Sequence, residues 1–208
     1  MAEREGWIEK APRVPMPPKY PPRDSFLTKE EIAKLLDSSK KIAHLELFIL
    51  IALATGARRG AILGLTWDRV NFNKRVIDFN DPNLPLSKKR RPVVPFAEHL
   101  FQKLSLAHSV AQTTYVIEWA GKPLKRIDRT LNNAAARAGI KCTSHILKHT
   151  AISYMAEMGI PVSKIAEYTQ TTHQTVERVY LKVNPESLRP IAEEMDALFA
   201  TTSSNSEK

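Results

Sequence analysis

The chain has 208 residues, 43% of them hydrophobic and 25% charged, which is the composition of an ordinary globular protein of one or two domains. Its net charge of +9 fits a basic surface and also favours a polyanionic partner, because neutralising phosphates releases condensed counterions. The single cysteine, Cys142, excludes an intramolecular disulfide, and the longest apolar run, Leu47 to Ala54, is too short to span a membrane. The N-terminus lacks the apolar core of a signal peptide, so we expect a cytoplasmic protein with no membrane partner.

The first 24 residues contain six of the fourteen prolines. Proline fixes φ and lacks a backbone N–H, so a segment this rich in it builds neither a helix nor a central strand. We interpret residues 1–24 as a linker or arm. The folded part begins after this segment, where Thr28 and Glu31 form a capping box that predicts a helix reaching about Ser38.

Helical patterns account for most of the remaining chain. The apolar run from His44 to Thr55 predicts a buried helix, and Gly56 ends it because glycine favours helix C-termini. A final amphipathic helix is predicted over Glu186 to Ala200, before a polar tail. Between them, helices are predicted over Arg59–Leu65, Ala97–Leu106 and Asp128–Ala138, in a segment from His145 to Gly159, and in two shorter segments between Pro161 and Tyr180.

Strand patterns are confined to the middle of the chain. Alternation and β-branched or aromatic residues predict three strands, Trp67–Phe72, Arg75–Phe79 and Arg91–Phe96. A short fourth strand over Thr114–Trp119 is followed by a predicted turn at residues 121–123. The expected fold class is therefore mainly α with a small three-stranded antiparallel β-sheet at one edge, an α+β arrangement.

Four consecutive cations precede the third predicted strand: Lys88, Lys89, Arg90 and Arg91. They follow a turn-rich loop over residues 80–85, so they lie in or near a hairpin connection. A block of charges at a strand edge commonly serves only to prevent aggregation. Four in a row at a hairpin are a stronger indication of anion binding.

A second group of phosphate-seeking side chains opens the segment from His145 to Tyr180. At helical spacing, His145, Lys148 and His149 are three and four positions apart and are expected to face one side. The two histidines alone also fit a metal pair. A zinc protease motif, however, needs glutamate after the first histidine, and Ile146 stands there, so we favour anion binding over metal binding.

These cationic and polar groups belong to four segments that follow one another along the chain. The segments are TGARRGAILGLTWDRVNF (55–72), SKKRRPVVP (87–95), SHILKHTAISYMAEMGIP (144–161) and TVERVYLKVNPE (175–186). This order resembles the tyrosine recombinase (phage integrase) family, over nearly everything from Phe26 to about Pro185. The resemblance implies the catalytic-domain fold of that family for residues 25–185. It leaves residues 186–208 as a C-terminal helix and polar tail that packs on a neighbouring copy.

The resemblance also implies roles for individual residues, each of which alone would be an ordinary surface or packing residue. Arg58 matches the family's first catalytic arginine, and Tyr180 matches the nucleophile. Lys88 matches the catalytic lysine of the hairpin, with Lys89 as the alternative. The predicted catalytic set is Arg58, Lys88, His145, Lys148, Gln170 and Tyr180. The predicted DNA contacts outside it are Arg59, Lys89, Arg90 and Arg91.

The chemistry of these roles follows from general principles. A phenol that attacks a phosphodiester generates charge on the non-bridging oxygens, and preorganised cations lower that barrier. Members of the family cut and rejoin double-stranded DNA through a 3′-phosphotyrosine, without a metal or nucleotide cofactor or a small-molecule substrate, and act as tetramers on paired sites. They also carry a DNA-clamping domain that residues 1–22 cannot form. The resemblance therefore implies the catalytic part of a site-specific DNA recombinase.

The sequence departs from the family pattern at the phosphate-binding positions. Lys148 stands where the family has its second arginine, and Gln170 stands where the family's Leu-Gly-His has histidine. A less pronounced departure is Ala61, where an acidic residue is common. The first two departures keep open a weakened relative that binds DNA without efficient strand exchange. A helix-turn-helix regulator, with residues 160–180 as its two helices, is a third hypothesis, but it gives no reason for Arg58 and the hairpin cations.

Overall fold

A computed structural model describes residues 26–82, 93–180 and 193, with side chains throughout except at residues 178–180. It contains eight named α-helices within these ranges. They are α1 (Lys29–Ser39), α2 (Ala43–Thr55), α3 (Arg59–Leu63), α4 (Glu98–Ser109), α5 (Asp128–Arg137), α6 (Ser144–Glu157), α7 (Val162–Thr169) and α8 (His173–Tyr180). No described helix is both long enough and apolar enough to cross a membrane.

The predicted start of α1 is confirmed in detail. The Thr28 hydroxyl accepts a hydrogen bond from the Glu31 N–H at 3.2 Å, and the Glu31 carboxylate accepts one from the Thr28 N–H at 2.9 Å. This reciprocal pair satisfies two donors that a helix start otherwise leaves unpaired. Just before it, the Leu27 N–H donates to the Thr150 hydroxyl at 3.0 Å, which attaches the start of the described chain to α6.

The predicted three-stranded antiparallel sheet is confirmed, although its strands are short. The strands are β1 (Val70–Asn71), β2 (Val76–Asp78) and β3 (Val93–Pro95), in that spatial order. Ile77 pairs with Val70 on one side and with Val94 on the other, and all three side chains are buried. One face of the sheet therefore covers the main core.

Two strand predictions need correction. Trp67–Arg69, expected to begin a strand, is a 3-10 turn, and only the two residues after it pair with β2. Residues 122–123, expected as part of a turn, form strand β5 (Lys122–Pro123), which pairs with β4 (Glu118–Trp119). The actual turn is Ala120-Gly121, with φ values of 51° and 70°. Two consecutive positive φ values match the twist that a two-residue hairpin needs.

The main apolar core surrounds α2. Seven of its thirteen residues are buried, including Phe48, Ile49 and Ile51, each with no exposed surface. Each such side chain contributes roughly 1.5–3 kcal/mol relative to staying exposed. Helix α2 packs against α6 and also contacts α1, α3 and α4. Its largely apolar sequence predicts this burial on nearly every side.

A separate small core joins the last three described helices. Its buried members are Ile152 and Ala156 from α6, Ile165 and Ala166 from α7, and Val176 from α8. Helix α8 packs against both α6 and α7. The predicted Pro-rich arm over residues 1–24 lies outside the described residues, and so does the predicted helix Glu186–Ala200, except for Glu193, which is helical.

Candidate active site

The turn after α2 places Arg58 at the protein surface. Gly56 ends the helix in the left-handed region, with φ of 60°. The Thr55 hydroxyl donates to the Ile51 carbonyl at 2.6 Å and accepts from the Ala57 N–H at 3.2 Å, so both sides of the turn are fixed. Arg58 follows with extended backbone as the cap of α3, and its side chain is exposed.

The neighbouring arginines Arg58 and Arg59 differ in their partners. Arg59 Nη1 lies 2.6 Å and 2.7 Å from the two carboxylate oxygens of Asp128, the first residue of α5. No hydrogen bond or ion pair joins Arg58 to another described residue. The charge of Arg59 is therefore locally balanced, whereas that of Arg58 is available to an anion. The predicted DNA contact by Arg59 stays a prediction.

The two histidines of α6 share a face, as their spacing predicts. Nε2 of His145 and Nε2 of His149 are 2.7 Å apart, and the rings stand nearly perpendicular, with centroids 4.3 Å apart. His145 is exposed and His149 is half-buried. One of these two nitrogens must carry the shared proton and the other must accept it, because two lone pairs or two N–H groups at this distance would repel. No three His, Cys, Asp or Glu side chains of the described chain are grouped so that they could hold a metal ion.

Lys148 does not share the exposed face of the two histidines, contrary to the expectation from spacing. Its side chain is buried, and Nζ donates to the Gly56 carbonyl at 2.8 Å and to the Thr169 carbonyl at 2.7 Å. Burial, and to a lesser extent the nearby charge of Arg58, lowers the pKa of Lys148 from its ordinary value of 10.5 to about 7. Lys148 points inward because the ends of α2 and α7 both leave carbonyls without helical partners, and its ammonium group reaches both.

The end of α7 holds Gln170 in an uncommon conformation. Gln170 caps the helix with φ of 49° and ψ of 50°, the left-handed region that few residues other than glycine and asparagine adopt. Its N–H donates to the carbonyls of Ala166 and Glu167, and its side chain is half-buried. Since Lys148 bonds to the carbonyl of the preceding Thr169, Gln170 lies directly beside the point where α2 and α7 are joined.

Two residues of this junction were not singled out by the sequence. The Tyr168 hydroxyl lies 3.1 Å from the Ala54 carbonyl and 3.3 Å from the Pro95 carbonyl, so it connects α7 to α2 and to β3. The methyl group of Thr169 packs against Gly56 so closely that a Cβ at position 56 would lie 2.8 Å from it. The only sequence signal was their place beside Gln170, in the segment that replaces Leu-Gly-His.

Tyr180 is the last described residue of α8. One turn earlier, Val176 is completely buried in the small core, which attaches α8 to α6 and α7. The start of α8 is fixed by Thr172, whose hydroxyl accepts from the Thr175 N–H at 3.2 Å. The backbone of the predicted nucleophile is thus carried by a helix that packs on the same α6 that bears His145 and Lys148.

The predicted hairpin cations, Lys88, Lys89, Arg90 and Arg91, lie outside the described residues. The strands that flank them are described, and Asp78 of β2 pairs with Val93 of β3. The base of this hairpin is also connected to the junction, because Pro95 at the end of β3 accepts from Tyr168. The roles of the four cations stay predictions.

Comparison with known proteins identifies the family of the chain. A sequence model of the phage integrase family matches residues 25–187, and the chain belongs to that family. It is 26% identical over 227 aligned residues to the integrase of Salmonella phage P22, which covers 98% of this chain and 56% of that protein. It is also 26% identical over 205 residues to the tyrosine recombinase XerA of Pyrococcus furiosus, covering 93% of this chain and 70% of that protein.

The fold is similar to that of solved recombinase structures. The Tn1549 transposon integrase in complex with circular intermediate DNA superposes with a TM-score of 0.71 and 16% identity, over 83% of this chain and 67% of that chain. The predicted catalytic-domain fold of tyrosine recombinases is therefore confirmed. The chain spans just over half the length of the P22 integrase, so the relatives include sequence beyond the part matched here.

Proposed function

We propose that this chain is the catalytic part of a site-specific DNA recombinase that cuts and rejoins double-stranded DNA through a 3′-phosphotyrosine. The observation that carries the proposal is the junction of α2, α6 and α7. There, the exposed Arg58 has no acidic partner among the described residues and lies close enough to the buried Lys148 to lower its pKa, and Lys148 shares α6 with the histidine pair. Family membership supplies the reaction class, and the DNA complex of the Tn1549 integrase supports DNA as the partner.

In this proposal Arg58 binds the scissile phosphate. A guanidinium donates two parallel hydrogen bonds to phosphate oxygens. Arg58 is exposed and has no hydrogen-bond or ion-pair partner among the described residues, which leaves that fork available. His145 and Gln170 donate further hydrogen bonds to the non-bridging oxygens. These donors act where negative charge develops, and each such donor is worth roughly a hundred- to a thousandfold in rate.

Tyr180 is the proposed nucleophile and Lys88 the proposed general acid. The phenolic oxygen of Tyr180 attacks phosphorus after losing its proton, and the bond from phosphorus to the 5′ oxygen breaks. Lys88 gives its proton to that departing oxygen, so a free 5′-hydroxyl and a 3′-phosphotyrosine result. A 5′-hydroxyl of a second strand then attacks the phosphotyrosine and restores the phosphodiester. No metal or nucleotide takes part.

The proposal extends to the domains and the assembly. Residues 25–185 form the catalytic domain, residues 1–24 form an arm, and residues 186–208 pack on a neighbouring copy in a DNA-bound tetramer. Arg59, Lys89, Arg90 and Arg91 contact the DNA backbone. Of these, Arg59 must share its guanidinium with Asp128.

One observation favours a second candidate, a relative that binds DNA without efficient strand exchange. Lys148 occupies the position of the family's second arginine, and two of its three N–H donors are already used by protein carbonyls. At most one donor then remains for the phosphate, where an arginine offers a fork.

The test uses a pool of nicked duplexes with a randomised core, incubated with the full chain in EDTA. Denaturing capture of covalent protein–DNA adducts, followed by sequencing and mass spectrometry of the modified peptide, identifies both the site and the nucleophile. We expect an adduct on Tyr180 that Tyr180→Phe abolishes while DNA binding persists. Binding without any adduct would establish the second candidate, and an adduct on another residue would contradict the role of Tyr180.

A further inference from the structure

The ammonium group of Lys148 holds together two segments that are far apart in sequence. Its Nζ is 2.8 Å from the carbonyl of Gly56 and 2.7 Å from that of Thr169, and only 9% of the residue is exposed. These distances are those of strong, charge-assisted hydrogen bonds. The two acceptors belong to residues 92 positions before and 21 positions after Lys148, so the contact is a long-range connection and not a local feature of α6.

Both acceptors lie at helix ends, where carbonyls lack helical partners. Gly56 caps α2, and Thr169 is the last residue of α7. Without Lys148, the Gly56 carbonyl would lose its hydrogen-bond donor, and the Thr169 carbonyl would keep only the Thr171 hydroxyl at 3.4 Å among the described residues. Both losses are unfavourable at buried helix ends. Each also lies next to a predicted phosphate-binding residue, since Arg58 is two positions after Gly56 and Gln170 follows Thr169 directly.

Two further contacts bring the same segments together. The methyl group of Thr169 packs on Gly56, and the Tyr168 hydroxyl donates to the carbonyl of Ala54, two residues before Gly56. Apolar packing at Gly56 fixes how closely the ends of α2 and α7 approach. The hydrogen bonds of Lys148 fix how they are oriented, because a donor must point at each carbonyl.

We propose that Lys148 is a positioning residue that fastens the end of α2 to the end of α7 and thereby sets Arg58 and Gln170 for a shared phosphate. What it positions rests on the proposed function, whereas the connection itself belongs to the DNA-free protein. Two N–H donors are sufficient for this role, whereas direct binding of the phosphate would need the positive charge. This difference separates the two roles of Lys148 experimentally.

The first arm of the test uses the full chain without DNA. Lys148→Met removes every donor at nearly constant volume, and Lys148→Gln keeps two N–H donors without charge, on a side chain one bond shorter. Ser153→Ala is the matched control, since Ser153 is buried on the same helix and its hydroxyl has no hydrogen-bond partner among the described residues. Melting temperature and amide hydrogen exchange of peptides covering residues 54–58 and 168–171 are measured for each variant.

We expect Lys148→Met to melt roughly 5 °C or more below the wild type and to exchange roughly tenfold faster in both peptides. The melting temperature and exchange rates of Lys148→Gln should lie between those of Lys148→Met and the wild type. Those of Ser153→Ala should match the wild type. A Lys148→Met protein that melts at or above the wild-type temperature, with unchanged exchange in both peptides, overturns the proposal. If Lys148→Met does not fold in buffer, the same comparison is made in trimethylamine N-oxide, which strengthens folding, and unchanged exchange of Lys148→Met in both peptides there overturns the proposal.

The second arm measures the rate of adduct formation on a nicked duplex selected from the randomised pool. A positioning role predicts that Lys148→Gln recovers a substantial part of the rate that Lys148→Met loses, with little change in DNA affinity for either variant. Equal losses in both variants would assign Lys148 to the phosphate itself and contradict the positioning role. If the wild type forms no adduct, the proposed function fails, and the DNA-free arm still decides whether the connection exists.

Discussion

The described chain contains two apolar cores of very different size. The main core, around α2, draws on α1 to α6 and the three-stranded sheet, whereas the small core has only five buried side chains from α6, α7 and α8. Helices α7 and α8, which end at Thr169 and Tyr180, depend on the small core, on the packing of Tyr168 against the main core and on a few polar contacts to the rest. Local stability follows the density of buried apolar contacts, and among the described residues the proposed nucleophile lies on the core with fewer of them.

This difference is useful for a strand-transfer enzyme. The side chains that bind the phosphate must be held rigidly, because misplacement of a charge by about 1 Å can lower the rate a hundredfold. A nucleophile must instead enter and leave the site as strands are exchanged. Arg58 follows the end of α2, which lies in the main core, whereas Tyr180 lies on α8, which packs on the small core. The two requirements are therefore met by different cores.

The largest expected effect comes from the main core. Phe48→Ala should lower the free energy of unfolding by about 3–5 kcal/mol, since Phe48 is completely buried. In the small core, Val176→Ala removes a smaller side chain and should lower it by only about 1.5–3 kcal/mol, mainly by local opening of α8. Urea denaturation measures the first value. Limited proteolysis should release the C-terminal helices of Val176→Ala, and equal protease resistance of α2 and α8 in that variant would contradict the comparison.

The next effect concerns the contact between the two cores. Gly56→Ala should destabilise the protein by roughly 2–4 kcal/mol, because it forces alanine to a φ of 60° and places a Cβ 2.8 Å from the Thr169 methyl group. Adding Thr169→Ala removes that methyl group but leaves the backbone strain. The double variant should therefore recover only part of the loss, as measured by thermal denaturation of all four proteins. Simple additivity of the two changes would show that the residues do not meet.

A pH-dependent effect is expected from Lys148. The pKa of Lys148 falls to about 7 on folding, chiefly through burial and then through Arg58, from an ordinary value of 10.5. Between these values the unfolded chain holds a proton that the folded protein has lost, so the free energy of unfolding should rise with pH. The slope can reach about 1.4 kcal/mol per pH unit and vanishes below and above this window. Denaturation of wild type and Lys148→Met from pH 6 to 10 measures it, and parallel curves would rule it out.

The smallest effect is expected at the surface. Arg59→Ala breaks an ion pair with Asp128 whose side chains are 49% and 45% exposed, and should cost about 0.2–1 kcal/mol of stability. Arg58→Ala, one position earlier, breaks no such pair and should leave the melting temperature unchanged while it strongly lowers adduct formation. The pair of variants separates structural from phosphate-binding arginines. Loss of stability in Arg58→Ala would mean that its side chain has a structural role.

The parts of the fold that local signals specify were predictable from the sequence. The capping box at Thr28, the end of α2 at Gly56 and the shared face of the two histidines depend on residues at most four positions apart, and all three are confirmed. The first strand was predicted to begin three residues too early, at Trp67 instead of Val70, because aromatic residues are also common in strands. That indole ring instead packs on Phe72 and His108.

The inward position of Lys148 was not predictable, because both of its partners are backbone carbonyls of distant segments. A weak signal was present in its own helix. Thr150, Ala151 and Ser153 are small residues near Lys148, and all are buried, which is typical of a helix enclosed on most sides. A cation within such a stretch is more reasonably assigned to the interior than to a ligand-binding face.

The close packing of Gly56 against Thr169 also constrains how sequences of this kind can diverge. The space between the two positions accepts roughly one side chain, and here it is filled from the α7 side. The Leu-Gly-His segment of the family has glycine where this chain has Thr169, which leaves that space open from the same side. We therefore expect position 169 to vary in size among homologues while position 56 keeps glycine, because a φ of 60° strains other side chains there even when the space is open. In a library that randomises both positions, the folded members should nearly all keep glycine at 56 and differ at 169.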